Sequence, residues 1–354
     1  MRFGYWMPVF GGWLRNIPDE GMEASWDYVR QLAVSAEQIG YDLTLIAELN
    51  LNDIKGKAAP SLDAWSTAAA IAAVTRSQEI MVAVRPNFHQ PGLFAKAAAN
   101  IDHIANGRLS LNVVSSWWAE EAKQFGLVFD QHDDRYARTG EWLDVVAGLW
   151  REPVFDFEGK FYRMDQARLA PKPVRPPTIY AGGESDAAKT MIARQCDAYV
   201  MHGDPVEAIA SKIADMAERR ETAGGTPMQF GMAAFAIVRD SEAEAQAELG
   251  RILEVREHPA GYDNFDQWLS GTQLEREMKI REYSVSNRGL RPNLVGTPEQ
   301  LRERIEEYEA AGLDLLLLQM SPQAEEMDRF AAQVIQPMRS SAAMPAIAAN
   351  ETLH

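Results

Sequence analysis

A (β/α)8 barrel is the fold class this chain predicts. Two observations carry the prediction. Eight short apolar segments recur along 354 residues, and helix-like stretches separate almost every pair. The segments are FGYWMPV (3–9), DLTLIAEL (42–49), IMVAVRP (80–86), LSLNVVSS (109–116), TIYAGG (178–183), DAYVMHG (197–203), FGMAAFAIV (230–238) and DLLLLQMS (314–321). Several stop abruptly in small or polar residues. In such a barrel the chemistry sits at the carboxyl ends of the strands, so these stops are the shortlist for function.

The connecting elements follow in order. A helix is expected from about Met22 to Gly40, with Gly40 as a left-handed cap. The loop ELNLNDIKGKAAPSLDAW after strand two should shape a pocket mouth, with Ser61 capping the next helix. A third helix runs from Gly92 to Asn106 and stops at Asn-Gly. After strand four, Trp142, Val145, Val146 and Leu149 keep helical spacing. VFDFEGKFYRM then reads as a hairpin turning at Glu158-Gly159, followed by the proline-rich RLAPKPVRPPT. Between strands seven and eight lie an acidic helix (about 241–256), EHPAGYDNFDQWLSGTQ, a second helix and SVSNRGLRPNLVGTPEQL. An excursion of that length at a catalytic face suits a lid or pocket wall, and surface decoration is the alternative. Thr297 should cap the helix ending near Gly312. The expected domain is a single barrel over 1–339, with insertions at about 151–177 and 241–295 and a flexible tail over 340–354.

Composition narrows the function. A net charge of -16 argues against nucleic acid and against an anionic membrane surface. No apolar run approaches the ~20 residues that span a bilayer. The start leads straight into a strand without a signal-peptide pattern. One cysteine, Cys196, excludes an internal disulfide framework and a thiolate metal cluster. A cytoplasmic location is expected. The chain has no GxGxxG after strand one and no GxxxxGK[ST]. Its six histidines form no metal-binding pattern, so no catalytic metal is expected.

The strand ends supply candidates. Gly182, Gly183 and Ser185 precede a helix, where backbone N–H groups and a hydroxyl can hold a phosphate. A plain strand–helix turn has the same pattern. Glu184 is awkward beside a dianion and should point away. Asn112, Ser115 and Ser116 close strand four and suit polar edges of a cofactor ring; Trp117 and Trp118 could wall a pocket. His202 ends strand six and could serve as acid, base or donor, or cap the strand. Arg85 more often orders loops. Arg288 and Arg291 are the best local positive charge, unless they are solvated loop residues.

Taken together, the segments resemble the bacterial luciferase-like flavin monooxygenases, and within them the two-component alkanesulfonate and dimethylsulfone monooxygenases. The resemblance rests on FGYWMPVFGGW, SLDAW, VAVRPNFHQPGLFAKAAANIDHIANGRLSLNVVSSW, HDDRYARTGEWLDVVAGLW, FDFEGKFYRM, LAPKPVRPPTIYAGGESDAA, DAYVMHGDP, FGMAAFAIVRDSEAEA and NLVGTPEQLRERIEEYEAAGLDLLLLQMSPQAEEM. It covers nearly the whole chain in one collinear order. It implies a TIM-like barrel that binds reduced FMN from a separate NAD(P)H-dependent flavin reductase. Oxygen then forms a flavin-peroxide that cleaves a C–S bond of a small organosulfur substrate.

By position, the resemblance assigns Gly182, Gly183, Glu184 and Ser185 to the phosphate turn. It places Tyr136 near the flavin and Asn112 with Ser115 at its ring. His202, Arg288 and Arg291 are the expected catalytic set. Trp6, Ser61, Asn87, Trp117, Phe235 and Met320 are the expected substrate pocket. Departures matter too. Ser61 stands where alkanesulfonate monooxygenases carry a cysteine, and His202 where they carry a tryptophan. Ala233 and Phe235 replace an arginine and a histidine; Met320 and Ser321 replace a Tyr-Pro region. A more apolar pocket results, suited to a neutral sulfone. A homodimer or homotetramer is implied. An F420-dependent oxidoreductase of the same superfamily and a catalytically silent flavin carrier are the alternatives.

Overall fold

The computed structural model describes residues 1–254, 260–263, 265 and 284–343. Eight parallel strands close into a barrel. In chain order they are β1 (Arg2–Met7), β2 (Leu43–Ile46), β3 (Glu79–Val84), β4 (Leu109–Val113), β7 (Thr178–Ala181), β8 (Ala198–Met201), β9 (Gln229–Phe235) and β12 (Leu315–Gln319). Around the barrel the order is β1-β12-β9-β8-β7-β4-β3-β2. The expected (β/α)8 architecture is therefore present. Two minor pairs lie outside it. The hairpin β5 (Phe155–Glu158) and β6 (Arg163–Ala167) is the predicted excursion, and β10 (Ile237–Val238) pairs in parallel with β11 (Val295–Gly296). The segment 230–238 is thus two strands rather than one. The break falls at Ala236, whose N–H donates to Gln319 O at 3.1 Å.

Local capping explains the helices that position the site. Helix α1 (Trp26–Ile39) is capped by Ser25 and ends at Gly40 with φ 104°, the left-handed turn expected. It starts four residues later than the sequence pattern placed it. Helix α2 (Ala64–Val74) is capped by Asp63, whose carboxylate accepts from Ser66 N at 2.7 Å, so Ser61 is not the cap. Helix α3 (Pro91–Ala105) ends at Asn106, also left-handed. Helices α4 (Ala119–Gln124) and α5 (His132–Arg151) follow β4. Helix α6 (Asp186–Gln195) follows β7, α7 (Val206–Thr222) follows β8, and α8 (Glu242–Ile252) follows β10. Thr297 forms the predicted cap, reinforced by Gln300 in a reciprocal box. Residues 340–343, assigned to the flexible tail by sequence, instead belong to a helix from Gln336 to Ala343. The second helix of the long excursion lies outside the described residues. No described helix is long and apolar enough to cross a membrane.

Side chains alternate along each strand, and this alternation builds two cores. One lies between barrel and helices. The other fills the barrel with Leu43, Leu45, Met81, Tyr180, Ala198, Leu315 and Leu317. Gly4 fits among them only because it lacks a side chain; a Cβ there would sit 1.9 Å from Leu43 Cδ2. Two or four residues further along the same faces come Ala47, Ala83, Arg85, Gly182, His202 and Gln319. All of these line a cavity at the carboxyl ends of the strands.

Candidate active site

The cavity has a volume of about 270 Å³, near the small end for pockets that hold organic ligands. One end is the turn between β7 and α6. A Cβ on Gly182 would lie 2.7 Å from Val200 O, and one on Gly183 would lie 2.6 Å from Ala188 Cβ and 3.1 Å from Tyr136 Oη. Side chains are therefore excluded and the backbone itself faces the cavity. Ser185 caps α6, its Oγ accepting from Ala188 N at 3.2 Å. Tyr199 Oη donates to Gly183 O at 2.9 Å and fixes the turn from below. Beside it, burial raises the Tyr136 phenol above its ordinary range, against the pull of Ser185 and Arg135. Arg135 lines the same end. Its guanidinium lies over the Phe129 ring at 4.6 Å, Nη1 donates to Asp130 O at 3.1 Å, and Nε is buried without a hydrogen-bond partner. Among the described residues no carboxylate pairs with it. A helix N-terminus, a bare glycine turn and a guanidinium without a carboxylate partner are features with which proteins hold anions.

Next to this turn, the ends of β7 and β8 join a buried ionic network. Arg288 is fully buried, and its Nη2 donates to Glu184 Oε1 and, at 2.7 Å, to His202 Nδ1. Lys212 Nζ bridges Glu184 Oε1 at 2.9 Å and Asp204 Oδ2 at 2.7 Å. Arg291 Nη1 donates to Asp204 Oδ1 at 3.2 Å. Burial alone would raise the Glu184 carboxyl, yet His202, Arg288 and Lys212 together hold it well below the usual carboxylate range. Burial holds His202 below the ordinary histidine value, with Arg288 and Lys212 adding and Glu184 opposing. Neither Arg288 nor Arg291 lines the cavity. Their expected place over the substrate is corrected to a place behind His202, because two carboxylates, Glu184 and Asp204, hold them there.

The far wall is differently charged. Arg85 forms a forked ion pair with Glu121, and its N–H donates to Glu48 Oε2 at 2.7 Å. Glu48 Oε1 also meets His89 Nε2. Arg15 is paired with Asp53, both nearly fully buried. Gln319 exchanges hydrogen bonds with Ser286 Oγ. Asn112, Ser115, Ser116 and Trp117 complete this side from β4, with Trp6 from β1. Ser115 Oγ lies 2.9 Å from Thr139 Oγ1, which ties it to α5. Ser116 has φ 33°, an uncommon backbone for a serine. The Ser116 Oγ and Trp6 Nε1 atoms are buried without partners.

Comparison with known proteins adds a second line. Residues 1–315 match the model of the luciferase-like monooxygenases. The chain is 32% identical over 358 residues to an FMNH(2)-dependent dimethylsulfone monooxygenase of Pseudomonas fluorescens (strain Pf0-1), covering 96% of this chain and 94% of that protein. It is also 32% identical to one of Pseudomonas putida over 354 residues, covering 96% and 95%. This chain belongs to the luciferase-like monooxygenase family. The solved structure of the long-chain alkane monooxygenase LadA superimposes with a TM-score of 0.82 at 18% identity, covering 99% of this chain and 93% of that one. At that identity it bears on the fold alone.

Within this luciferase-like chain, ten of the residues assigned to the site by the resemblance meet at the cavity: Trp6, Asn112, Ser115, Trp117, Tyr136, the four of the glycine turn, and His202; Arg85, Ser116 and Ala233 join them. Four expected pocket residues do not. Ser61 Oγ donates to Asn50 O at 3.4 Å within its own loop. Asn87 lies in the short helical turn Pro86–Phe88, beyond Arg85. Phe235 sits at the strand break, its N–H donating to Gly289 O at 2.7 Å, so the following turn covers it. Met320 is one residue past Gln319 and faces the opposite way by alternation, into the outer core. Trp118 is fully buried and stacks on Trp117 at 5.3 Å, so only one of the pair walls the cavity. Sequence reasoning missed Arg135, Glu48, Arg15, Asp53 and Gln319. Arg135 adjoins Tyr136, and Gln319 ends strand eight, so adjacency and strand-end position were available signals. Arg15 and Asp53 carried none.

Proposed function

We propose that this monooxygenase is the oxygenase of a two-component system. It would receive reduced FMN from a separate NAD(P)H-dependent flavin reductase and use O2 to cleave a C–S bond of a small neutral sulfone. The observation that carries the reading is the charge layout of the cavity. The phosphate of FMN fits the end that holds Arg135, Tyr136 and the turn Gly182–Ser185, where the Arg135 guanidinium has no carboxylate partner among the described residues. At the other end Arg15 and Arg85 are each balanced by carboxylates, and beside the turn burial disfavours the charged form of His202. A sulfonate would find no uncompensated cation there. A sulfone needs none, since its oxygens accept from neutral donors. Dimethylsulfone, for which the two Pseudomonas relatives are named, is of this neutral class.

Reduced FMN, when bound, supplies the two electrons that activate O2. The chain's own residues do the rest. Backbone N–H groups of Gly182, Gly183 and Ser185 hold the phosphate with Arg135 and Tyr136. Asn112 and Ser115 orient the ring, and Trp6 and Trp117 wall the substrate from water. His202 donates a hydrogen bond where charge develops on oxygen. For dimethyl sulfone the balance is one sulfone, one O2 and one FMNH2 giving methanesulfinic acid, formaldehyde, FMN and water.

The test is oxygen consumption with a flavin reductase, FMN and NADH. Dimethyl sulfone, methanesulfonate and longer alkanesulfonates are offered separately. Sulfinate with formaldehyde from the sulfone alone is the expected result. Sulfite from the sulfonates would keep the class and overturn the substrate. FMN binding without turnover of any substrate would overturn the sulfur chemistry.

A further inference from the structure

We propose that Arg288 is a positioning residue that fixes His202 as the neutral ring protonated on Nε2, so that the ring offers the cavity a donor. This deepens the monooxygenase reading and rests on it only for what His202 donates to. The geometry is specific. Arg288 Nη2 lies 2.7 Å from His202 Nδ1. A guanidinium has donors and no acceptor, so Nδ1 must be the acceptor and the ring proton must sit on Nε2. The Nδ1 edge faces the buried side, with Arg288 at 0% and Glu184 at 5% side-chain exposure, while 28% of the His202 side chain is exposed. The other edge is therefore the one turned to the cavity that His202 lines.

The backbone is shaped to place this guanidinium. Asn287 and Arg288 both adopt positive φ, 57° and 54°, in the left-handed region. Their turn is keyed to the end of β8: Gly203 N donates to Asn287 O at 3.0 Å, and a Cβ on Gly203 would lie 2.6 Å from Arg288 O. Glu184 from the β7–α6 turn anchors the guanidinium, with Asp204 Oδ2 at 3.7 Å from Nη1. Lys212 from α7 adds a further cation to the group, and Arg291 sits on the far side of Asp204. Glu184 Oε1 is only 3.8 Å from His202 Nδ1. Without Arg288 that carboxylate becomes the ring's nearest charged neighbour and draws a proton onto Nδ1, giving an imidazolium. Arg288 thus competes with Glu184, 3.8 Å away, for the Nδ1 edge of the ring.

The experiment needs no flavin. Full-length protein labelled with 15N-histidine is read by long-range 1H–15N correlation, and the His202 signals are assigned by their loss in His202→Asn. The expected wild-type pattern is an unprotonated Nδ1 and a protonated Nε2, persisting as pH falls below the ordinary histidine value of about 6.5. Arg288→Met should raise the titration midpoint of His202 by roughly one pH unit or more. Arg288→Lys, which keeps a donor and a charge, should stay near wild type. A wild-type ring protonated on Nδ1 overturns the proposal, as does an Arg288→Met titration identical to wild type. If Arg288→Met does not fold, the wild-type spectrum and Arg288→Lys decide. Absence of sulfone turnover would sink the monooxygenase substrate and leave this spectrum unchanged.

Discussion

Replacing Arg135 with glutamine should weaken reduced FMN binding far more than reduced riboflavin binding. Inside the protein Arg135 makes one backbone hydrogen bond, to Asp130 O, and lies on Phe129. Removing its charge therefore costs the fold little, about 1 kcal/mol or less. Towards a phosphate the same guanidinium would make a charge-assisted bond, worth about 1.5–3 kcal/mol. At 1.4 kcal/mol per decade this is roughly a 10–150-fold loss of FMN affinity. Riboflavin carries no phosphate and should lose nothing through this route. The assay is anaerobic titration of both reduced flavins against wild type, Arg135→Gln and Arg135→Lys, with the ratio of the two affinities as readout. Arg135→Lys should fall between, because an ammonium keeps the charge and loses the fork. An unchanged FMN-to-riboflavin ratio in Arg135→Gln would refute the assignment of this end to the phosphate, whatever happened to either affinity alone.

Three further outcomes follow from single residues. Gly4→Ala should lower stability by about 1–3 kcal/mol in a denaturant titration, since its Cβ collides with the fully buried Leu43 and approaches Leu317 Cδ2 to 3.0 Å. Combining it with Leu43→Ala should cost less than the sum of the two; strict additivity would mean the barrel floor has room to spare. The Glu37 carboxylate accepts N–H groups of Arg76, Ser77 and Gln78, which outweigh burial and hold its pKa at about 2 rather than 4.5. Because the folded value is depressed, its contribution is present above about pH 4.5 and disappears as pH falls through about 2. Thermal melts of Glu37→Gln should thus show a deficit at neutral pH that closes in acid; a deficit independent of pH would rule out the carboxylate as its source. Burial, with Asp197 beside it, pushes the Cys196 thiol up to about 12, so Ellman's reagent should leave native protein untouched and titrate one thiol in denaturant. Rapid native labelling would contradict that placement.

The strands and the glycine turn were legible because their signals are local. An apolar segment ending in Gly-Gly before a helix carries its geometry within eight residues, and so does the Thr297 cap. Phe235 and Met320 failed for a subtler reason. Phe235 ends β9 and Met320 follows β12, but which face a residue presents depends on where the strand stops, and β9 breaks at Ala236. Arg288 failed because burial of a guanidinium requires carboxylates from elsewhere. Glu184 is 104 residues away and Asp204 is 84 before it, on different elements. No spacing rule in a single chain joins those three.

The same network accounts for a residue that looked misplaced. Glu184 sits in the turn we assign to the phosphate, within a chain of net charge -16, where another carboxylate should repel that group. Its negative charge is instead matched within the network by Lys212 and Arg288, while Asp204 takes the charge of Arg291. What this end then offers the cavity is the backbone N–H groups of the turn and Arg135 of α5, with the carboxylate held in the network behind. Arg288 does two things at once: with Lys212 it offsets the charge of Glu184, and it competes with that carboxylate for His202 Nδ1. Neutralising the turn and setting the histidine tautomer draw on the same guanidinium, held in a left-handed backbone and joined at Glu184 by Lys212.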